Sequence, residues 1–434
     1  MTSEVAVMNR LAVALAADSA VSISSGRRNK VFNTANKLFM LSEQHPVGIM
    51  VYSNGSLMGV PWEVLIKTFR RHLGERHFDY LEEYARAFME FIEGQRALFT
   101  PELERKYFRK MVENEFAGLA GEIQRTLQQE EATLSEGDDW DVIRSATVTK
   151  LIREAHTEWS EYEAHPDIPV GLGKRLRSDC SGELAALATN YFRTRAWTAP
   201  SADTPLLNEL AEFYVEKKYI APSSFTGLVV AGFGTAEFFP VLKRYRLGDM
   251  YEGRLKRVEL DPVKIDDDVP VHVGVFADSG MADLFLKGIS WPALDFVIGQ
   301  AFRSGHEIAE AVLGITGVKQ TSNLWEKVEE ARDAIVMNLV DTIQQYRATS
   351  TEFEKALVHI PKDELASVAA SLVNLNSFKK RMSMSVESVG GPVDVAVISK
   401  GDGFIWIDRK HYFDADKNPH FMRKLTRGDS AEQK

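Results

Sequence analysis

Thr2-Ser3-Glu4-Val5-Ala6-Val7-Met8-Asn9-Arg10-Leu11-Ala12-Val13-Ala14-Leu15-Ala16-Ala17-Asp18 is the stretch on which the reading of this chain turns. Residues 3–8 and 11–18 alternate or run apolar and are rich in β-favouring side chains, and Asn9-Arg10 between them is polar and turn-compatible. The pattern predicts a β-hairpin that starts at the first residues of the chain. The run Leu11–Ala17 sits at the short limit of a signal-peptide core. The segment before it carries Glu4 and little positive charge, so a cleaved leader is not expected.

Working outward, a polar loop is expected from Ser22 to Asn36, punctuated by Ser24-Ser25-Gly26. Two short strands follow, Lys37–Leu41 and Val47–Tyr52, joined by a turn containing Pro46. Ser53-Asn54-Gly55-Ser56 breaks the pattern, and Leu57–Leu73 reads as a helix with Pro61 early, where proline is tolerated. From about Glu75 to Asn208 helical spacing recurs near Phe78–Met89, Tyr107–Ile123, Val142–Ala164 and Gly182–Trp197. Strand texture returns in Gly227–Gly234, Glu237–Leu242, Gly253–Leu260 and His272–Ala277, spaced as an antiparallel meander. A helix is expected after Ser279-Gly280, further helix over Trp291–Glu354, and another over Leu365–Met382. Strands Val393–Ser399 and Phe404–Ile407 flank a tight Lys400-Gly401-Asp402-Gly403 turn, and the tail from His411 is polar. The expected organisation is thus a core in three blocks, 1–75, 222–290 and 362–410, two helical insertions, 76–221 and 291–361, and a tail, 411–434.

Composition narrows the function. The 434 residues are 44% hydrophobic and 26% charged, enough for a large core, and the formal net charge is -10. That balance argues against a nucleic-acid surface, which needs clustered Lys and Arg; Arg27-Arg28-Asn29-Lys30 reads as a solvated loop. No apolar run approaches the ~20 residues of a membrane helix, so no membrane partner is expected. The single cysteine, Cys180, excludes a disulfide within the chain and points to a reducing, cytoplasmic setting. Other signals are weak. Gly232-Phe233-Gly234 lacks the third glycine of a dinucleotide loop, Asp266-Asp267-Asp268 lacks an EF-hand pattern, and His306-Glu307 has no second histidine four residues on from His306. No metal site or cofactor is expected.

Taken in order, the core blocks resemble the proteasome β-subunit family and its bacterial relatives. Thr2, then Val5-Ala6-Val7, a two-residue turn and Val13-Ala14-Leu15-Ala16-Ala17-Asp18-Ser19 are similar to the family's nucleophile strand and its AAD strand end. Asn36-Lys37-Leu38-Phe39 looks like its lysine strand, and Gly48–Gly55 like its glycine-containing strand end. Ala277-Asp278-Ser279-Gly280 resembles its serine-glycine helix start, and Val389-Gly390-Gly391-Pro392-Val393-Asp394-Val395-Ala396-Val397-Ile398 is similar to its GG..DVAVI strand. The resemblance covers roughly half the chain, and its specificity lies in the joint order and spacing of these motifs. It implies an α+β fold, a four-layer αββα N-terminal-nucleophile hydrolase sandwich carrying the two large helical insertions.

The resemblance also implies a site. Thr2 would be the nucleophile once Met1 is removed, with Lys37, Asp18 and Ser279 beside it. Chemistry supports the choice of residue types: a threonine hydroxyl needs a base, and a terminal α-amine with a reference pKa of ~7.7–8 supplies one. A nearby ammonium would keep that amine free, and Asp18 would hold Lys37 charged and oriented. An oxyanion donor would come from the backbone at Ser53 or Gly55, the two remaining undecided. The family has glycine where Ser53 would stand, and Ala20 replaces its arginine. Val21 and Ser22 would lie on a substrate-binding strand edge where a peptide adds by β-augmentation. The implied function is a threonine-type peptidase acting on peptides or unfolded proteins, assembled as a homo-oligomer and served by a possible ATP-dependent unfoldase. Two alternatives stay open: a small-molecule amidohydrolase of the same fold, and a catalytically silent scaffold or binding protein.

Overall fold

The computed structural model of the chain describes residues 3–25, 28–132, 139–193, 197–221, 225–278, 280–316, 322–349, 352–382, 389–411, 413–414 and 416–420. In chain order it begins with strands β1 (Ser3–Asn9), β2 (Val13–Ala17), β3 (Val21–Ser25), β4 (Arg28–Phe32), β5 (Leu38–Met40), β6 (Val47–Tyr52), β7 (Ser56–Leu57) and β8 (Val60–Pro61). Helices α1 (Trp62–Leu73), α2 (Leu81–Glu93), α3 (Pro101–Glu131), α4 (Trp140–Glu161), α5 (Leu172–Asp179), α6 (Ser181–Phe192) and α7 (Thr204–Glu216) follow. Next come β9 (Thr226–Gly232), β10 (Val241–Tyr251), β11 (Arg254–Lys264) and β12 (Val271–Ala277), then α8 (Gly280–Lys287), α9 (Trp291–Thr316), α10 (Ser322–Thr349), α11 (Glu352–Leu357) and α12 (Lys362–Arg381). Strands β13 (Asp394–Ser399) and β14 (Gly403–Asp408) close the series. The chain divides into two compact units, one formed by 1–38 with 264–434 and the other by 39–263.

The first unit holds a five-stranded antiparallel sheet in the order β12-β1-β2-β13-β14. Period-two alternation sorts its central strands. Val5, Val7, Ala14, Ala16, Val395 and Val397 share one face and pack with Leu365, Ala369, Leu372 and Val373 of α12. Glu4, Ala6, Met8, Leu15 and Ala17 take the other face. The predicted turn residue Asn9 anchors the end of β1. Its Oδ1 accepts from Leu11 N at 2.9 Å, and its Nδ2 donates to Leu357 O at 3.0 Å and Ile360 O at 3.1 Å.

The second unit holds a sheet in the order β11-β10-β9-β6-β5. Helix α1 buries Trp62, Leu65, Ile66, Phe69 and Leu73, an i, i+3, i+4, i+7 stripe, against the faces of β6 and β9 together with α2. Helices α3–α7 have a separate core of their own, in which Phe108, Phe116, Ile152, Trp159, Leu172, Phe192, Trp197 and Leu210 are buried. The Gly232-Phe233-Gly234 run has a packing reason. Gly232 sits at φ +143°, and a Cβ there would lie 2.0 Å from Pro46 O.

Several sequence expectations are corrected. The polar stretch after β2 is not a loop throughout: β3 and β4 pair as a hairpin, Val21 opposite Phe32. β3 carries Val21 and Ile23 and β4 carries Val31 and Phe32, β-favouring residue types among the polar ones. The helix expected from Leu57 starts at Trp62, because a miniature β7–β8 ladder ends at Pro61, whose φ of -59° and ψ of 135° place it as the N-cap. The expected meander stops at β11. β12 leaves it and pairs with β1 in the other sheet, Val5 opposite Val275. The strand expected over Glu237–Leu242 begins only at Val241. Helices α5 and α7 lie inside the 76–221 stretch expected to be mostly helical, beyond the four segments singled out in it.

A second cluster of buried charge lies wholly in the second unit. Lys256 of β11 is 2% exposed and donates to Tyr214 O at 2.7 Å. Around it a cavity of about 20 Å³ is lined by Glu115, Trp159, Tyr214, Asp249 and Tyr251 among others, which is room for about one water. Burial pushes Lys256 down to about 7 against the pull of Asp249 and Glu115. Burial also pushes Asp249 up to about 6. The folded state therefore binds fewer protons at Lys256 than the unfolded chain between pH 7 and 10.5, and stability rises with pH across that window. The stability of Lys256→Met relative to the parent protein is expected to fall as pH rises from 7 to 10, because only the parent gains stability across that window. Urea melts of both proteins across this range are the check, and a difference that does not change with pH would show that Lys256 stays charged.

Candidate active site

Strands β1 and β2 place Asp18 one residue beyond the paired ladder, where its carboxylate collects donors from four separate parts of the first unit. Oδ1 accepts from Ser3 N at 2.9 Å and from Lys37 Nζ at 2.6 Å. Oδ2 accepts from Ala20 N at 3.2 Å and from Gly390 N at 3.0 Å. The carboxylate is fully buried, and the Lys37 side chain is 6% exposed. The neighbouring backbone reinforces the arrangement: Asp18 N donates to Ser3 O, Ser19 N to Gly390 O, and Ala35 N to Ser19 O, at 3.1, 3.1 and 3.0 Å. Gly391 sits at φ +76°, and a Cβ there would lie 2.9 Å from both Asn33 Cβ and Asn33 O. The second glycine of the GG pair is therefore required for the chain to pass Asn33 and present Gly390 N to Asp18.

The site holds more charge than the sequence suggested. Register places Glu4 and Asp394 on either side of Ala17, on one face of the sheet. Asp394 is held by Lys410, whose backbone N donates to Oδ1 at 2.9 Å and whose Nζ bonds Oδ2. Glu4 is fully buried, and neither carboxyl oxygen has a hydrogen-bond partner among the described residues. Burial, opposed by Lys37 and aided by Asp18, holds the Glu4 carboxyl well above the usual range. Burial likewise lowers Lys37, while Asp18 and then Glu4 act against that shift.

The predicted residues fall into three groups. Asp18 and Lys37 are brought together as an ion pair. Ser53 and Gly55 belong to the second unit, on the exposed turn after β6. Ser53 sits at φ 71°, the left-handed region that glycine occupies freely. Thr2 and Ser279 lie outside the described residues. Ser22 is in β3, with its side chain outside them. Sequence reasoning missed Glu4, Asp394 and Lys410 as members of the site. Glu4 did carry a signal, a carboxylate inside an otherwise apolar strand. Among the described residues no three His, Cys, Asp or Glu converge as for a metal, and no helix is long and apolar enough to cross a membrane.

The architecture is thus a mixed α/β fold with two five-stranded sheets and a buried Asp–Lys pair just beyond β2, bonded to the start of β1 at Ser3. No protein-family model matches the chain, and no curated protein does. Among solved structures the chain is similar to Anbu from Hyphomicrobium sp. strain MC1, a bacterial proteasome-like protein, at 10% identity, with 98% of each chain covered and a TM-score of 0.27. At that score the superposition carries no weight for fold or activity, which rest here on topology and site geometry.

The electrostatics set two expectations. Because the folded-state value of Glu4 is raised from 4.5, the folded state binds more protons above that pH, and stability is lost as pH rises. Glu4→Gln should melt close to the parent protein at pH 4 and above it at pH 8, read by thermal melts; equal melting at both would mean that Glu4 is solvated. Lys37→Met leaves the Asp18 charge buried and should cost about 3–5 kcal/mol in denaturant titrations. A loss under 1 kcal/mol would show that the three backbone donors suffice for Asp18.

Proposed function

We propose that the chain is an N-terminal-nucleophile hydrolase of four-layer αββα architecture, with Thr2 as nucleophile after removal of Met1. The observation that carries the reading is that Asp18 bonds both Lys37 Nζ and the amide of Ser3, the residue next to Thr2. A buried ammonium is thereby tied to the start of the nucleophile's strand.

In this mechanism the α-amine of Thr2 accepts the hydroxyl proton as the oxygen attacks the substrate carbonyl. An ester forms with the acyl group, and the proton passes to the departing amine. Water then attacks the ester with the same amine as base, releasing the acid and restoring the hydroxyl. Lys37 acts by charge, favouring a free amine and a negative oxygen, and Asp18 keeps it ionised against its burial. Ser279 supports the proton path, and a backbone N–H at Ser53 or Gly55 serves the oxyanion. The reaction of the chain's own residues is complete without a cofactor.

A peptide or unfolded protein is the favoured substrate class, because β3 has β4 as its only ladder neighbour among the described residues, which leaves its second edge for an extended chain. The same reading includes a cytoplasmic homo-oligomer with an unfoldase as possible partner, and treats 76–221 and 291–361 as insertions on the hydrolase core. A silent scaffold has one observation in its favour: three of the four donors to Asp18 are backbone amides, as in a purely structural hub.

Intact mass spectrometry with a threonine-directed β-lactone decides between them. The hydrolase is expected to lack Met1 and gain one adduct, absent in Thr2→Ala. Retained Met1 with no adduct would leave the scaffold.

A further inference from the structure

Asn376 lies in the interior of α12, 2% exposed, and uses its whole hydrogen-bonding capacity on two other segments. Its Nδ2 donates to Ser3 Oγ at 2.8 Å and to Asp278 O at 2.8 Å. Its Oδ1 accepts from Met281 N and Ala282 N, both at 3.1 Å. A carboxamide has two donor hydrogens and two acceptor lone pairs, and all four are occupied. One side chain therefore holds the first residue of β1 and the first turn of α8 at once.

The segment it holds is not relaxed. Ala277, immediately before Asp278, sits at φ 64°, an unfavourable region for a residue with a Cβ. Asp278 is fixed on its other side by an ion pair with Lys380, 3.0 Å away and one turn beyond Asn376 on the same helix. Such strain persists only where surrounding contacts over-determine it, and here those contacts come from α12 and from the pairing of Ala277 with Ser3 of β1.

Resting on the hydrolase reading, we propose that Asn376 is a positioning residue for the reaction. It clamps Ser3, the neighbour of Thr2, to Asp278 before Ser279 and to Met281 and Ala282 after it, and so sets the distance across which the nucleophile and its supporting hydroxyl work. It touches neither substrate nor reacting atoms; it acts through Ser3 and through the α8 turn. Nothing in the sequence singles it out, since an asparagine in a helix ordinarily faces solvent or caps an end.

Ser3→Ala severs the strand arm of the clamp and leaves the α8 amides capped. Asn376→Ala removes both arms. The test measures the rate of β-lactone adduct formation by intact mass spectrometry, across pH, for the parent protein, each single variant and the double variant. Circular dichroism fixes the folded fraction of each. The clamp predicts that folded Ser3→Ala reacts about tenfold more slowly and Asn376→Ala at least as slowly, since an error of about 1 Å in placement costs up to ~10²-fold. It also predicts that the double variant is no slower than Asn376→Ala, because both changes cut the same link. A parent that reacts while both folded variants react equally fast would overturn the clamp and leave the hydrolase standing, as would fully additive losses. A parent that forms no adduct would overturn the hydrolase and the clamp with it.

Discussion

The carboxylate of Asp18 is the constraint on which the first unit depends. A buried carboxylate is tolerable only when its lone pairs are filled, and Asp18 fills four, from Ser3 N, Lys37 Nζ, Ala20 N and Gly390 N. Ala20 is two residues from Asp18, but the other donors are distant in sequence, and Gly390 is 372 residues away. Satisfying one group therefore fixes the start of β1, the turn after β2, the approach to β5 and the approach to β13 together. The identity of Gly391 follows from the same demand, because only a residue without a Cβ lets the chain past Asn33 at that point.

Buried charge is expensive, and this chain concentrates it. In the first unit Glu4, Asp18, Lys37, Asp394 and Lys410 act on one another. In the second, Lys256 and Asp249 share a small cavity among Tyr214, Tyr251 and Trp159. A hydrophobic replacement of such groups is often neutral or stabilising, so neither cluster is explained by stability alone. The Asp18–Lys37 pair has a chemical use if an amine and a hydroxyl work beside it. Lys256 has a structural one, since its hydrogen bond to Tyr214 O ties the hairpin of β10 and β11 to α7.

Much of the core was legible because it depends on local pattern. The apolar alternation through Val5–Val7 and Val13–Ala17, the helical stripe from Trp62 to Leu73, and the Asp394–Ser399 strand with its tight turn all lie where periodicity placed them. The errors arose where pairing overrides pattern. β3 and β4 are polar in composition yet form a ladder, since each completes the other's backbone bonds. β12 reads like its predecessors but belongs to the other sheet, because membership of a sheet is decided by which edge is vacant.

By itself the sequence determined which segments are extended and which helical, and it set Asp18 and Lys37 at the ends of two such segments with residue types suited to an ion pair. It could not determine that the pair is buried, that Glu4 lacks a hydrogen-bond partner among the described residues, or that Asn376 reaches both Ser3 and the start of α8. Those facts depend on residues up to 373 positions apart meeting in space. Local propensity acts over a few residues, whereas desolvation and hydrogen-bond saturation depend on everything packed around a group, and only the tertiary structure supplies that.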